Sequence, residues 1–234
     1  MYQDGARSKR SLHRHRMDAE KTYLPAASRD WLLPLYDPVV KLLGAGRART
    51  ILLDEAAVRP GNRLLDIGCG TGTFATLIKR LYPDVDATGL DPDPKALERA
   101  KRKAERLGVM IRWDQGFSNE LPYPDTSFDH VFSTFMFHHL QSDQKEGTLR
   151  EVRRVLAPAG SFHLLDFLVT ERDRHRGLAP WSHHLNDNSE EQILNLMNGT
   201  GFDSCKKTQE GALLFGTLRT GYFLASAPVA QPGG

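Results

Sequence analysis

The sequence has little cysteine, no long apolar run and no excess of charge of one sign. Its 234 residues include two cysteines, Cys69 and Cys205. Two cysteines are too few to stabilise a chain of this length by disulfide bonds, so we expect both to be reduced. No run of about 18 apolar residues occurs, and none follows the basic N-terminus, so neither a membrane span nor a secretory signal is predicted. The formal net charge of +2 argues against nucleic acid as a partner. These absences favour a cytoplasmic globular protein.

Length and composition indicate one large α/β domain with an extension at each end. Residues 1–20 are basic and almost free of apolar side chains, which predicts a disordered tail; a phosphate-binding arm or a transit peptide stays open. Residues 21–58 contain helical pieces cut by prolines and predict an N-terminal helical cap over the ligand edge of the sheet. Residues 59–225 should form the main domain, with a long polar loop at 170–188. Residues 226–234 predict a second disordered tail.

Strands and helices alternate through the main domain. The strand candidates are Arg63–Ile67, Val85–Leu90, Val109–Asp114, Phe128–Thr134 and Ser161–Phe167. Most are apolar runs, as expected for strands whose two faces are both covered, and segments with helical spacing separate them. The alternation predicts a doubly wound, mostly parallel sheet that binds its ligand at the carboxyl ends of the strands.

Local signals mark two helix starts and a hairpin. Asp93 before a proline predicts an N-cap, and Ser189 begins a capping box. Near the C-terminus, Phe202–Thr208 and Leu213–Leu224 flank a short segment, Gln209–Ala212, that contains glycine. This pattern predicts a terminal antiparallel hairpin.

A glycine-rich turn follows the first predicted strand. Gly68, Gly70 and Gly72 stand at every second position, where a backbone without side chains can bend sharply and lie against a ligand. A dinucleotide site needs G-x-G-x-x-G or A, but Thr73 stands at the last of these positions. Asp66 precedes the turn, where it would repel a pyrophosphate but could hold the ammonium group of an amino acid. The turn therefore favours a zwitterionic, cationic cofactor.

This stretch resembles motif I of the class I S-adenosylmethionine-dependent methyltransferases, in the UbiE-like or type 11 branch. Further motifs of that branch match Gly89–Asp93, Leu121–Asp129, His138–Leu140 and Leu149–Gly160, so the resemblance covers about residues 60–168. It implies a Rossmann-like fold with a seven-stranded, mostly parallel sheet. It also implies S-adenosyl-L-methionine as the cofactor, S-adenosyl-L-homocysteine as the product and methyl transfer as the reaction.

The resemblance implies a set of cofactor-binding residues. Asp91 ends the second predicted strand, where the family uses a carboxylate to accept both ribose hydroxyls. The family commonly has an aspartate at the adenine subsite, whereas this chain has Phe117 followed by Ser118, so we expect the ring and the Ser118 groups to hold adenine. The full set is Asp66, Gly68, Cys69, Gly70, Thr71, Gly72, Asp91, Pro92, Phe117, Ser118 and Phe135.

Two histidines are the candidate catalytic residues. Methyl transfer depends on alignment and on exclusion of water, and it needs a general base only for an alcohol, a phenol or an acidic carbon. His138 and His139 follow the fourth strand, and because adjacent side chains diverge, at most one should face the pocket. A positioning role is favoured over that of a base. No metal is predicted, since neither this pair nor His183-His184 has a carboxylate or cysteine at ligand spacing.

The acceptor is expected to be a small, partly apolar metabolite. The fourth strand lacks the Asn/Asp-Pro-Pro-aromatic signature of enzymes that methylate amide or nucleobase amino groups. The candidates for its pocket are Tyr36, Met136, Trp181 and His183. Carbon, oxygen and nitrogen acceptors stay open. Two alternatives also stay open: a non-catalytic cofactor-binding regulatory or scaffold protein, and an NAD(P)-dependent oxidoreductase, which the glycine spacing disfavours.

Overall fold

A computed structural model describes residues 44–169, 188–213 and 216–229. Its strands are β1 (Arg63–Ile67), β2 (Asp86–Asp91), β3 (Arg112–Gln115), β4 (Phe128–Thr134), β5 (Leu156–Phe167), β6 (Ser204–Leu213) and β7 (Leu218–Ser226). They form one sheet in the order β3-β2-β1-β4-β5-β7-β6. β7 runs antiparallel to both of its neighbours, β5 and β6, and the other neighbouring pairs of strands are parallel. The predicted seven-stranded, mostly parallel sheet is confirmed.

Helices cover both faces of the sheet. They are α1 (Ala45–Glu55), α2 (Thr73–Leu81), α3 (Pro94–Leu107), α4 (Ser142–Val155) and α5 (Glu190–Asn198), and a short 3-10 helix (Phe137–His139) follows β4. The helices α1 and α2 pack on one face, and α4 and α5 pack on the other. No helix in the described ranges is both long and apolar enough to cross a membrane.

Neighbouring residues of the central strands alternate between two apolar cores. Leu65 and Leu164 pack with α4 and α5, whereas Leu64 and Leu165 pack with α1 and α2. All four side chains are buried. Because each strand is covered on both sides, the sequence shows continuous apolar runs rather than alternation.

The predicted helix starts are confirmed. The Asp93 side chain accepts a hydrogen bond of 2.8 Å from the backbone of Lys95, and Pro94 follows at the first helical position. Ser189 and Gln192 cap each other reciprocally at the start of α5. These local interactions fix where the helices begin after their loops.

The terminal hairpin is confirmed, but its turn was predicted in the wrong place. Residues 209–212 belong to β6 and pair with β7, so the strands join further along the chain. Gly211 suggested a turn, yet it lies within the strand because a Cβ there would stand 2.9 Å from the Thr220 hydroxyl oxygen. Glycine here permits a close cross-strand approach, which sequence alone does not distinguish from a turn.

Three other predicted boundaries also shift. Val109 lies just after α3 and before β3, because its N–H donates to the carbonyl of Ala104 in the last turn of the helix at 3.1 Å. Leu156 begins β5 early, because it pairs with Phe128 before an irregularity in the ladder. The chain end is ordered beyond residue 225: Ala227 is 2% exposed and donates to Gly160. A tail starting at residue 226 was therefore placed too early.

Part of the predicted N-terminal cap is described. Helix α1 buries its apolar side against the face of the sheet near β5, whereas we expected the whole cap to fold over the ligand edge. The reason is its stripe of small and apolar residues, which the sheet face covers. Residues 1–20, the cap residues 21–43, the loop residues 170–187 and the last residues 230–234 lie outside the described ranges.

The order of the strands locates the ligand crevice. The connections from β1 lead towards β2 and β3 on one side, and the chain then returns to β4 on the other side. The direction of winding therefore reverses between β1 and β4. Ligands of such sheets bind at the carboxyl ends of the strands at this reversal. The glycine turn follows β1 and the 3-10 helix follows β4, so both border the crevice.

A buried histidine in the sheet makes stability depend on pH. The ring of His163 is 2% exposed, lies 5.1 Å from the Phe132 ring and shares a 2.8 Å hydrogen bond with the Ser161 hydroxyl. Burial, reinforced by nearby His130, lowers the pKa of His163 to about 3 from an ordinary value of 6.5. The folded protein therefore keeps the ring neutral at pH values where the unfolded chain protonates it.

We expect His163 to contribute stability above pH 6.5 and to lose it as pH falls. At pH 5 the loss should reach about 2 kcal/mol, since each unit of pKa difference is worth about 1.4 kcal/mol. Urea unfolding of the wild type and His163→Gln at pH 7 and pH 5 measures this loss in the free energy of unfolding. The variant is needed as a reference because buried Asp66, whose pKa is raised, makes stability change with pH in the opposite direction. An equal change in the free energy of unfolding of both proteins would contradict the prediction.

Candidate cofactor and acceptor site

The glycine turn has the backbone that its sequence predicts. Gly68, Gly70 and Gly72 have φ values of +65°, +52° and +74°. Gly68 also lies under the Met136 side chain, because a Cβ there would stand 2.2 Å from the Met136 Cγ. Gly72 similarly faces Trp113, at 2.5 Å. Any larger residue would be strained by the left-handed backbone and would displace these neighbours.

Asp66 is the buried acid of the site. It lies in β1, is 2% exposed, and neither of its oxygens has a hydrogen-bond partner of good geometry among the described residues. Burial raises its pKa to about 7, the positive charge of Arg49 and the Ala75 N–H act to lower it, and nearby Asp91 raises it further. An unsatisfied carboxylate in the interior is costly, so this position fits a cationic group.

Arg49 of α1 is the cation next to this acid, and the sequence analysis missed it. Its guanidinium carbon lies 5.4 Å from the centre of the Phe135 ring. Arg49 is buried in the same stripe as Ala45, Ala48 and Leu52. An arginine within the apolar stripe of an amphipathic helix was the signal available in the sequence.

Phe135 connects β4 to the site with a strained backbone. Its φ of +56° is uncommon for a residue with a Cβ. The strand neighbour holds it there, since the Phe135 N–H donates to the Leu165 carbonyl at 2.8 Å and its ring packs 5.0 Å from the Phe167 ring. Such strain is typical of functional sites and here directs the chain across the crevice.

Asp91 ties two turns of the ligand edge together. Its carboxylate accepts hydrogen bonds from the backbone N–H groups of Gly70, at 2.8 Å, and Asp93, at 2.9 Å. Burial raises its pKa and these two N–H groups lower it. Each oxygen keeps a further lone pair, so the carboxylate can still accept the hydrogen bonds predicted from ribose. The neighbouring Pro92 carbonyl accepts from the Gln115 side chain at 3.2 Å.

Thr71 and Cys69 of the turn are held by their surroundings. The Lys103 ammonium donates to the hydroxyls of Thr71, at 3.2 Å, and Thr73, at 2.7 Å. The Cys69 N–H donates to the Leu90 carbonyl at 3.0 Å. Burial raises the pKa of the Cys69 thiol, which is free of a disulfide, so it stays protonated near neutral pH and is not a nucleophile.

The predicted adenine residues follow β3 at the same edge. The N–H of Gly116 donates to the backbone carbonyl of Asp91 at 3.2 Å, which attaches this loop to β2. Phe117 is half-buried beside it. The Ser118 hydroxyl shares a 2.8 Å hydrogen bond with Thr148 of α4, so it is less available for adenine than expected.

The two candidate catalytic histidines differ in their surroundings. His138 is buried, and its Nδ1 lies 2.5 Å from Oδ1 of Asp166 in β5. The ring centres of His138 and His139 are 4.0 Å apart, so the expectation that they diverge was wrong. Asp166 binds both the ring and the backbone N–H of His138 and thereby sets its orientation. The sequence analysis missed Asp166, an acid interrupting an apolar strand at its carboxyl end.

One of the four predicted acceptor-pocket residues is described. Met136 lies half-buried over Gly68, at the crevice. Tyr36, Trp181 and His183 lie outside the described residues. The metal site considered for the two histidine pairs needs His183 and His184 and so lies outside them too.

Comparison with known proteins identifies the central part of the chain. A family model described as a methyltransferase domain matches residues 64–160. These residues form a methyltransferase domain. The YcgJ protein of Bacillus subtilis superimposes on it with a TM-score of 0.66 at 20% identity, over 79% of this chain and all of that one. At that identity the likeness shows the fold of the methyltransferase domain and no more.

Two curated relatives are similar to the methyltransferase domain. The demethylmenaquinone methyltransferase of Deinococcus radiodurans is 37% identical over 139 residues, 58% of this chain and 57% of that protein. The 27-O-demethylrifamycin SV methyltransferase of Amycolatopsis mediterranei is 39% identical over 128 residues, 52% of this chain and 46% of that protein. The chain thus spans about half the length of the curated relatives it matches.

We expect the affinity for S-adenosylhomocysteine to rise with pH through Asp66. The amino-acid ammonium group should favour the charged carboxylate, so binding should release a proton from Asp66. With a pKa of about 7 in the free protein, affinity should increase roughly eightfold from pH 6 to pH 7.5. Calorimetry at these pH values measures this increase.

Two comparisons isolate the contribution of Asp66. The variant Asp66→Asn should bind more weakly and lose the pH dependence. The fragment 5′-methylthioadenosine has no ammonium group, so its affinity for the wild type should not change with pH by this route. An equal pH dependence for both ligands would contradict the assignment.

Proposed function

We propose that this protein transfers a methyl group from S-adenosylmethionine to a small, partly apolar molecule. The observation that carries the proposal is the buried Asp66 carboxylate beside a glycine turn at the sheet's reversal point. A cationic, zwitterionic cofactor satisfies that carboxylate, whereas a pyrophosphate at the glycine turn would be repelled by Asp66. The match to a methyltransferase domain supports the same cofactor.

The residues present fit each part of the cofactor. Asp66 would hold the ammonium group, Asp91 the ribose hydroxyls, and Phe117 would pack against adenine. Arg49, adjacent to Asp66, would supply the positive charge that complements the carboxylate group of the cofactor's amino-acid part. When bound, S-adenosylmethionine supplies an electrophilic methyl group, and the chain's own task is to align the acceptor and exclude water.

A small acceptor is supported by the site and by the relatives. Phe135 and Met136 give the crevice an apolar wall directly over the glycine turn. The names of the two relatives denote methylation of demethylmenaquinone and of 27-O-demethylrifamycin SV. Both are small molecules rather than nucleic acids or proteins.

The alternatives are less well supported. A dinucleotide oxidoreductase would place a pyrophosphate at the glycine turn beside the buried acid Asp66, and Thr73 stands where its fingerprint needs glycine or alanine. A non-catalytic cofactor-binding protein would use the same turn without an acceptor, but the relatives are named as methyltransferases.

We expect Asp91→Ala to weaken S-adenosylhomocysteine binding at least 30-fold in calorimetry. Two or so lost hydrogen bonds to ribose should cost about 2–4 kcal/mol. The matched control is Asp86→Ala, because Asp86 lies at the opposite end of the same strand and is exposed. Asp91 also holds the turns, so urea unfolding must show that the variant is folded. Wild-type affinity in Asp91→Ala would contradict the cofactor assignment.

Turnover separates the enzyme from the non-catalytic alternative. The wild type should form S-adenosylhomocysteine from S-adenosylmethionine with at least one acceptor in a panel of quinols, phenols, sterols and amines. If the protein binds S-adenosylhomocysteine but methylates no acceptor in that panel, the non-catalytic cofactor-binding protein is favoured instead.

A further inference from the structure

The structure contains a buried histidine–aspartate pair at the ends of β4 and β5. The distance from His138 Nδ1 to Asp166 Oδ1 is 2.5 Å, and the two side chains are 7% and 0% exposed. Asp166 also accepts from the backbone N–H groups of His138, at 3.1 Å, and Phe167, at 2.7 Å. The Asp166 carboxyl group is therefore held by three contacts, two from backbone N–H groups and one from the His138 ring.

This arrangement fixes the tautomer of His138. Because the Asp166 carboxylate accepts from Nδ1, the proton of the neutral ring stays on Nδ1. Nε2 then carries the lone pair and is the ring nitrogen that can take a proton from another molecule. The buried negative charge of Asp166 stabilises the imidazolium that results.

The pair lies beside the cofactor turn. Met136, two residues before His138, covers Gly68 so closely that a Cβ on that glycine would contact it at 2.2 Å. The ends of β4 and β5 are joined here by the hydrogen bond from Phe135 to Leu165. His138 is therefore placed at the crevice between the glycine turn and β5, where an acceptor must approach the cofactor.

A second pair of histidines, in β4 and β5, provides a contrast with His138 and Asp166. His130 and His163 share the Ser161 hydroxyl at 2.8 Å each and have no carboxylate in that network. Burial lowers the pKa of both rings, so they stay neutral. They lie within the strands, with His163 three residues before Asp166 in β5 and His130 near the start of β4. His138 differs in having a buried carboxylate partner and in its position at that edge.

We propose that His138, oriented by Asp166, is the general base of the reaction and that the acceptor is a hydroxyl oxygen of an alcohol or a phenol. This inference rests on the proposed methyl transfer and names its acceptor class. An amine attacks as the neutral base and needs no such partner, whereas a hydroxyl becomes a good nucleophile only as its proton leaves. Asp166 acts through His138 and is a positioning residue.

The proton and electrons balance in one step. His138 Nε2 takes the hydroxyl proton while an oxygen lone pair forms the bond to the methyl carbon. The old carbon–sulfur bond breaks, and its electron pair stays on sulfur, which leaves as a neutral thioether. The imidazolium afterwards returns the proton to solvent.

Nuclear magnetic resonance of protein labelled with ¹⁵N-histidine tests the pair without any acceptor. At pH 8 the His138 ring should carry its proton on Nδ1 and leave Nε2 unprotonated. Asp166→Asn should weaken this preference and populate the tautomer with the proton on Nε2, because an amide nitrogen can donate to Nδ1. Asp129→Asn should not, because Asp129 lies at the other end of β4, paired with Arg63. A proton on Nε2 at pH 8, or no change in Asp166→Asn, would overturn the proposal.

The titratable and charged groups nearest to His138 come from several elements. They are Asp166 on β5, the adjacent His139 ring, Arg49 on α1 against Phe135, and Lys145 on α4, whose ammonium lies 5.4 Å from the Phe137 ring. His138→Gln assigns the resonance and keeps a donor for Asp166. Urea unfolding of Asp166→Asn shows whether that variant is folded.

Kinetics with phenols of graded acidity provide the second readout. His138→Gln should lower kcat by about 10²–10⁴-fold for a weakly acidic phenol and far less for 4-nitrophenol, which ionises without a base. A structural defect would reduce both equally. S-adenosylhomocysteine should bind to both the wild type and His138→Gln. If it does not bind to the wild type, the proposed function itself fails, rather than the role of His138. Methylation of amines alone overturns the hydroxyl assignment, and if no phenol reacts the tautomer of His138 decides.

Discussion

The unsatisfied carboxylate of Asp66 is the constraint on which the ligand edge depends. A charge in the interior is tolerated only when something offsets its loss of water, and here burial raises the pKa of Asp66 instead. Two neighbouring features act on the same charge: the positive charge of Arg49, and the Ala75 N–H in the first turn of α2. The free site is thus electrostatically incomplete, and a bound cation completes it.

Much of the architecture was predictable because its signals are local. Apolar runs, caps and the spacing of glycines lie within a few residues of each other, and they identified β1, β4, the helix starts and the glycine turn. Errors arose where the same residue type occurs in two kinds of local structure. Gly211 is a turn residue by composition, yet it lies in a strand because Thr220 crosses close above it.

The site was predictable only where one segment supplies it. Asp66 and the glycines come from a single stretch, and Asp91 follows one strand later. The pairing of His138 with Asp166 joins residues 28 positions apart, and Arg49 reaches the edge from a helix before the first strand. Such contacts depend on strand order and helix docking, which no local pattern contains. Tyr36, Trp181 and His183 stay predictions.

Asp91 has a consequence for the thermodynamics of binding. By accepting from Gly70 and Asp93, it fixes the loops after β1 and β2 before any ligand arrives. A loop that is already ordered loses little conformational entropy when the ligand binds, so more of the contact energy is expressed as affinity. The same carboxylate that is expected to contact ribose therefore also preorganises the surface that receives it.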